Sequence, residues 1–227
     1  KNLETLVIDF VNWNSSLDLT LMLSRKTNLR VLEITNLTKE YYPGWEMGGQ
    51  CDEVSTLIGS LHRLQKLVIT CSDDFERILD GRMIFTSLRQ LEELVVGEDL
   101  IDDSVLHVIS QHCLNLRQLK MYGVRGFISL LGLKNVLNKC PIHALSIPFY
   151  RGEGKGVCAV TELCQAGNNL RILEIFDGIC DKSFPSYRSM EEDKRRLLLE
   201  SAAFEASAGH VSLVFYDGYV PTTPVYT

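Results

Sequence analysis

The spacing His107, His112, Cys113 puts two imidazoles and a thiol within seven residues. Those are the side chains that hold zinc, so a metal centre is the first chemistry to consider. On a 3.6-residue period, however, His107 points away from His112 and Cys113, so the three do not share one ion. The stretch RGEGKGV at Arg151–Val157 is glycine-rich like a phosphate cradle. It lacks the spacing of a phosphate-binding loop and the Ser or Thr after Lys155, and reads as a link between a strand at Leu145–Ile147 and the next helix. The acidic pairs Asp73-Asp74 and Asp102-Asp103 read as helix starts rather than as acid/base pairs. No GxSxG, HExxH, GxxxxGK[ST] or paired CxxC occurs. No nucleophile, base and orienting group assemble from what remains. The chain is therefore expected to be no enzyme and to carry no cofactor and no metal.

Seven cysteines (51, 71, 113, 140, 158, 164 and 180) are odd in number and lie mostly among apolar residues. That pattern predicts reduced, buried thiols and a cytoplasmic or nuclear protein. The net charge of −6 over 227 residues argues against a nucleic-acid partner. The basic run Lys194-Arg195-Arg196 follows Glu191, Glu192 and Asp193 and reads as a solvated helix face. No apolar run approaches the roughly 20 residues that span a bilayer, so no membrane association is expected. The chain opens at Lys1 already inside a patterned segment, with no signal-peptide pattern, and reads as a piece of a longer protein.

The elements that must position any functional side chain come from a frame, L-x-x-L-x-L with Ile, Val or Met allowed. It appears at Leu3-Leu6-Ile8, Leu29-Leu32-Ile34, Leu64-Leu67-Ile69 and Leu91-Leu94-Val96. It continues at Leu116-Leu119-Met121, Ile142-Leu145-Ile147 and Leu170-Leu173-Ile175. The steps between first positions are 26, 35, 27, 25, 26 and 28 residues, and a degenerate copy follows at His210-Leu213-Phe215. Each frame predicts a short strand leaving a tight bend. Between frames the period becomes helical: Val105, Leu106, Ile109 and Cys113; Val54, Leu57, Ile58 and Leu61; Leu133, Val136, Leu137 and Cys140. One strand plus one helix cannot bury its own apolar side, whereas stacked copies can. The expected fold is α/β, a solenoid with a curved parallel sheet inside and helices outside.

These residues resemble the leucine-rich repeat family. The repeat length near 26, with Cys113, Cys140 and Cys164 ahead of the strands, is similar to its cysteine-containing subclass, best known in F-box/leucine-rich-repeat proteins. The resemblance covers residues 1–180, about seven repeats, and implies a ribonuclease-inhibitor-like horseshoe. It further implies a protein-protein interaction module, the substrate-recognition domain of an F-box-type ubiquitin ligase receptor. No F-box lies within the chain, so a ligase adaptor would bind a region outside it. The alternative is a leucine-rich-repeat scaffold without a ubiquitin role, such as a small-GTPase regulator or an immune-receptor fragment.

Two places break the period. The longest step holds KEYYPGWEMGGQ, where Tyr41, Tyr42 and Trp45 among turn formers make a candidate binding loop on the rim. Residues 181–227 form a C-terminal unit. Ser189-Met190-Glu191-Glu192 is a capping-box pattern. It starts a helix through Lys194–Ala206, with Leu197, Leu198, Ala202 and Phe204 as apolar contacts. A strand over HVSLVFY and a tail with two prolines, read as disordered, complete this cap.

Strand alternation puts two columns of residues on the concave face. One reads Asp9, Thr35, Thr70, Gly97, Tyr122, Pro148, Phe176 and Tyr216. Its neighbour reads Val7, Glu33, Val68, Val95, Lys120, Ser146, Glu174 and Val214. Aromatics gather toward the C-terminus, so Tyr122, Phe176 and Tyr216 are the candidate partner anchors, with Lys120 and Glu174 supplying charge specificity. Tyr122 and Phe176 are expected about 10 Å apart, two strand spacings.

Overall fold

The computed structural model describes residues 3–9, 16–37, 50–71, 79–97, 100–122, 128–148, 155–176 and 190–216. In chain order the elements are β1 (Thr5–Asp9), α1 (Ser16–Leu23), β2 (Val31–Leu37), α2 (Gln50–Gly59) and β3 (Lys66–Cys71). Next come α3 (Gly81–Phe85), β4 (Glu93–Val96), α4 (Asp103–His112), β5 (Gln118–Met121) and α5 (Leu130–Lys139). The last are β6 (Ala144–Pro148), α6 (Lys155–Ala166), β7 (Ile172–Phe176), α7 (Met190–Ala206) and β8 (Ser212–Tyr216). Strand and helix therefore alternate as the frame predicts.

The eight strands of the described residues form one parallel sheet in the order β1-β2-β3-β4-β5-β6-β7-β8. Parallel neighbours need a crossover connection, and such crossovers are right-handed. Because the order never reverses, the crossovers stack on one side, and each helix from α1 to α6 touches the next. Among the described residues, one face of the sheet carries the helices and the other carries none.

The spacing of three inside the frame has a direct cause. Leu116 donates its N–H to the Cys113 carbonyl at 3.0 Å, closing a turn, and the same bond recurs at Leu29, Leu64, Leu91 and Leu170. One residue later the strand opens: the N–H groups of Arg117 and Gln118 both donate to the Glu92 carbonyl, at 2.8 and 3.0 Å. The same sharing recurs at the start of β2, β3, β4, β6 and β7. The first leucine thus enters the core from a turn, and the next two enter it by strand alternation. All three frame positions are buried in β2 through β5.

The helices obey the sequence signals. The Asp102 carboxylate accepts the Val105 N–H at 2.9 Å, which assigns it rather than Asp103 as the cap of α4. The Asp103 carboxylate instead accepts the Ser129 N–H at 2.8 Å, tying α4 to the start of α5. Val105, Leu106 and Ile109 are buried, as are Val54, Ile58 and Leu61 and the α5 set Leu133, Val136 and Leu137. The thiols of Cys113 and Cys140 point back at carbonyls of the preceding repeat, Phe85 at 3.6 Å and Ile109 at 4.0 Å.

Several expectations are corrected. In the C-terminal helix, Met190–Ala206, the buried residues among the described side chains are Leu199 and Ala203, one turn apart. Leu197, Leu198 and Phe204 are 62–65% exposed and face outward. In a helix with apolar residues on several sides, the neighbour decides which stripe is buried, and α7 lies against α6. Lys155–Val157 begin α6 rather than a linker. Cys158 is exposed on that helix. In the degenerate last frame His210 is exposed and Val211 takes the buried place. β8 is an ordinary eighth strand, paired with β7 from Ile172↔Ser212 to Phe176↔Tyr216. A register irregularity between Ile34 and Leu37 marks where the 35-residue step begins. Asp73-Asp74, Ser189 and Cys180 lie outside the described residues, as do Arg151–Gly154, residues 38–49 and the tail.

Candidate functional site

Alternation within each strand sends Leu32 and Ile34, or Leu119 and Met121, into the core, and sends the residues between them to the helix-free face. The second column named from the sequence is in register across the whole sheet: Val7↔Glu33↔Val68↔Val95↔Lys120↔Ser146↔Glu174↔Val214. In the first column Asp9 pairs Thr35, and Pro148 pairs Phe176, which pairs Tyr216. The helix-free face therefore repeats one pattern of positions with different residue types at each.

Two polar groups stand out on it. In the first, the Lys66 ammonium lies 2.9 Å from the Glu33 carboxylate and 3.5 Å from that of Glu93. Lys66 stands in register with Glu93, while Glu33 is reached along the diagonal. Glu33 is only 4% exposed. Burial opposes charge on Lys66, but the hydrogen bond to Glu33 and the charges of Glu93 and Glu33 outweigh it and hold the ammonium above the ordinary lysine pKa. Nearby, the Thr35 hydroxyl donates to Asp9 at 2.6 Å, and the buried Thr70 hydroxyl has no hydrogen-bond partner among the described residues.

In the second group the Ser146 hydroxyl donates a short hydrogen bond to Glu174. Lys120 lies 3.7 Å from the same carboxylate oxygen. Lys120 and Glu174 thus form one pair spanning β5 to β7 rather than two independent charges. Ser146 is fully buried and its proton is directed at Glu174, so its oxygen is not presented to a substrate.

The aromatic candidates divide. Tyr122 is half-buried at the end of β5, its N–H donating to the Val96 carbonyl at 2.9 Å. Phe176 and Tyr216 are adjacent in the sheet backbone, while their side chains lie outside the described residues, as do Tyr41, Tyr42 and Trp45. Lys66 and Glu93 are not singled out by the frame itself. They belong to a third column, one residue before the central leucine, and opposite charges at that place on two consecutive copies are the signal in the sequence that marks them.

His107 is exposed on α4, while Cys113 is buried at its end. Among the described residues, no three His, Cys, Asp or Glu side chains stand close enough to hold a metal ion. Burial raises the thiol pKa to about 12 at Cys113 and to about 11 at Cys140 and Cys164. Thiol titration of native protein at pH 8 should leave these three unreacted and modify Cys158 quickly, with all seven reacting after denaturation. Fast native reaction of Cys113 would contradict its placement. These groups are protonated in the fold, so their contribution to stability is complete below the ordinary thiol pKa of about 8.5. It drains as pH climbs toward their raised values.

No protein-family model and no curated protein sequence matches this chain.

Proposed function

We propose that this chain is a leucine-rich repeat solenoid of the cysteine-containing kind whose helix-free, concave face binds a protein partner. The carrying observation is the register: one pattern of positions recurs on every strand, on a backbone held by a continuous hydrogen-bonded sheet. Such a surface holds side chains rigidly and varies only their identity, which suits recognition of one partner over another. Within that reading, Tyr122, Phe176 and Tyr216 are the apolar anchors, and the Lys120–Glu174 pair is the charged element beside them. The protein is a binding module without catalysis of its own, working in the cytoplasm or nucleus, where its thiols stay reduced. The resemblance of its frame and cysteines to F-box receptors makes substrate recognition for a ubiquitin ligase the favoured biological role.

Tyr122→Ala and Phe176→Ala test the face. Each should weaken binding to the partner recovered with the unmodified protein by at least roughly 1 kcal/mol while leaving the unfolding transition in place. Unchanged affinity in both variants would discard this face and direct the search to Tyr41–Trp45. The ligase role is tested separately, by asking whether the full-length gene product recovers a cullin adaptor. Failure there, with the face intact, leaves a scaffold or regulator.

A further inference from the structure

The seven helix-to-strand connections, from the α1–β2 turn to the α7–β8 turn, lie along one edge of the sheet, where every parallel strand begins. Together they hold seven Lys or Arg residues and a single acidic one, Glu92, a balance of +6. The whole chain carries −6, so everything outside this edge carries −12. This edge is therefore net positive, while the rest of the chain is net negative.

One stretch of it holds Arg117, His143 and Arg171. They occupy equivalent places on three consecutive strands and all three are exposed. The backbone fixes them in a row: the Arg117 carbonyl accepts the His143 N–H at 2.7 Å, and the His143 carbonyl accepts the Arg171 N–H at 2.8 Å. Elsewhere on the rim Arg30 faces Glu4 at 3.9 Å and Arg63 donates to Asn28 at 2.9 Å. Arg117, His143 and Arg171 have no ion-pair partner among the described residues.

We infer that this rim, centred on Arg117, His143 and Arg171, docks an acidic, extended polypeptide segment, as a second surface separate from the helix-free face. The row spans about two strand spacings, near 10 Å, and carboxylates on alternate residues of an extended chain recur about every 6.7 Å, within reach of the two long guanidinium stems. Nucleic acid fits less well. Single strands are held by stacking on aromatic rings, and none of the seven connections contains Phe, Tyr or Trp. The arginines also lie near helix C-termini, whose carbonyls favour cations, so a purely stabilising role is the competing account.

The test uses a fluorescein-labelled oligoglutamate peptide and the whole chain, by anisotropy at about 20 mM salt, where exposed charges are weakly screened. Arg117→Gln with Arg171→Gln should weaken binding at least about threefold, the scale of two exposed ion pairs. The charge-matched control, Leu131→Glu with Ser201→Glu on exposed helix positions, should bind as the unmodified chain does. Equal losses in both variants would reduce the effect to net charge and overturn the site. So would an arginine variant that melts earlier but binds normally, or no binding of the peptide at all. Oligothymidylate binding more tightly than oligoglutamate would reassign the rim to nucleic acid. Tyr122→Ala should leave oligoglutamate affinity unchanged, which separates this rim from the face proposed above.

Discussion

Leu119→Ala should lower the unfolding free energy by roughly 2–5 kcal/mol. Leu119 is fully buried at the centre of β5, in register with Leu94 on one side and Leu145 on the other, both buried themselves. The strands that carry these leucines are pinned by the ladder and by the shared carbonyl at each strand start, so the backbone cannot close over the lost methyl groups. The cost therefore contains both the transfer of the removed carbons and the cavity they leave. Urea denaturation followed by circular dichroism reads it. Leu6→Ala is the internal comparison: Leu6 holds the same frame position on the edge strand β1 but is only half-buried, and should cost distinctly less. A loss below about 0.5 kcal/mol at Leu119, outside the range for buried leucines, would mean that the frame does not form the core.

Lys66→Met should be the next most damaging change, at roughly 1–3 kcal/mol, the scale of a buried polar group that loses a charged hydrogen-bond partner. Removing the ammonium takes from the buried Glu33 carboxylate its cation at 2.9 Å, and from Glu93 its cation at 3.5 Å. Orphaning one member of a fully buried pair costs about 3–5 kcal/mol. The Lys66 side chain is 32% exposed, so water repays part of that here. Adding Glu33→Gln to Lys66→Met should recover most of the loss, since the buried charge is then gone. A double variant no more stable than Lys66→Met would show that the methylene stem of Lys66, not its charge, carries the effect.

Strand positions, helix faces and the order of elements are legible in the sequence because each depends on neighbours within a few residues. Leu116, Leu119 and Met121 share a frame whose geometry is a local turn followed by a strand. Asp102 caps the helix that follows it through its own third neighbour. The columns that hold Glu33, Lys120 and Glu174 follow from the spacing of the leucines, because strand alternation and a constant repeat leave one register that buries every leucine. The α7 stripe fails for the opposite reason. Leu197, Leu198, Leu199 and Phe204 are all apolar, and only the packing of α7 on α6 chooses Leu199 and Ala203 as the buried pair.

By itself, then, the sequence determined a repeating β/α chain, the frame residues buried in β2 through β5 and the positions on its helix-free face, all consequences of short-range periodicity. Tertiary structure alone decided which charges meet. Lys66 reaches Glu33 33 residues earlier and Glu93 27 residues later, and Lys120 reaches across β6 to Glu174. Those distances depend on strand stacking and on which side chain is long enough to cross it. The cations of the helix-to-strand turns are likewise scattered through the sequence, and become a single basic rim only because parallel strands all begin at the same edge.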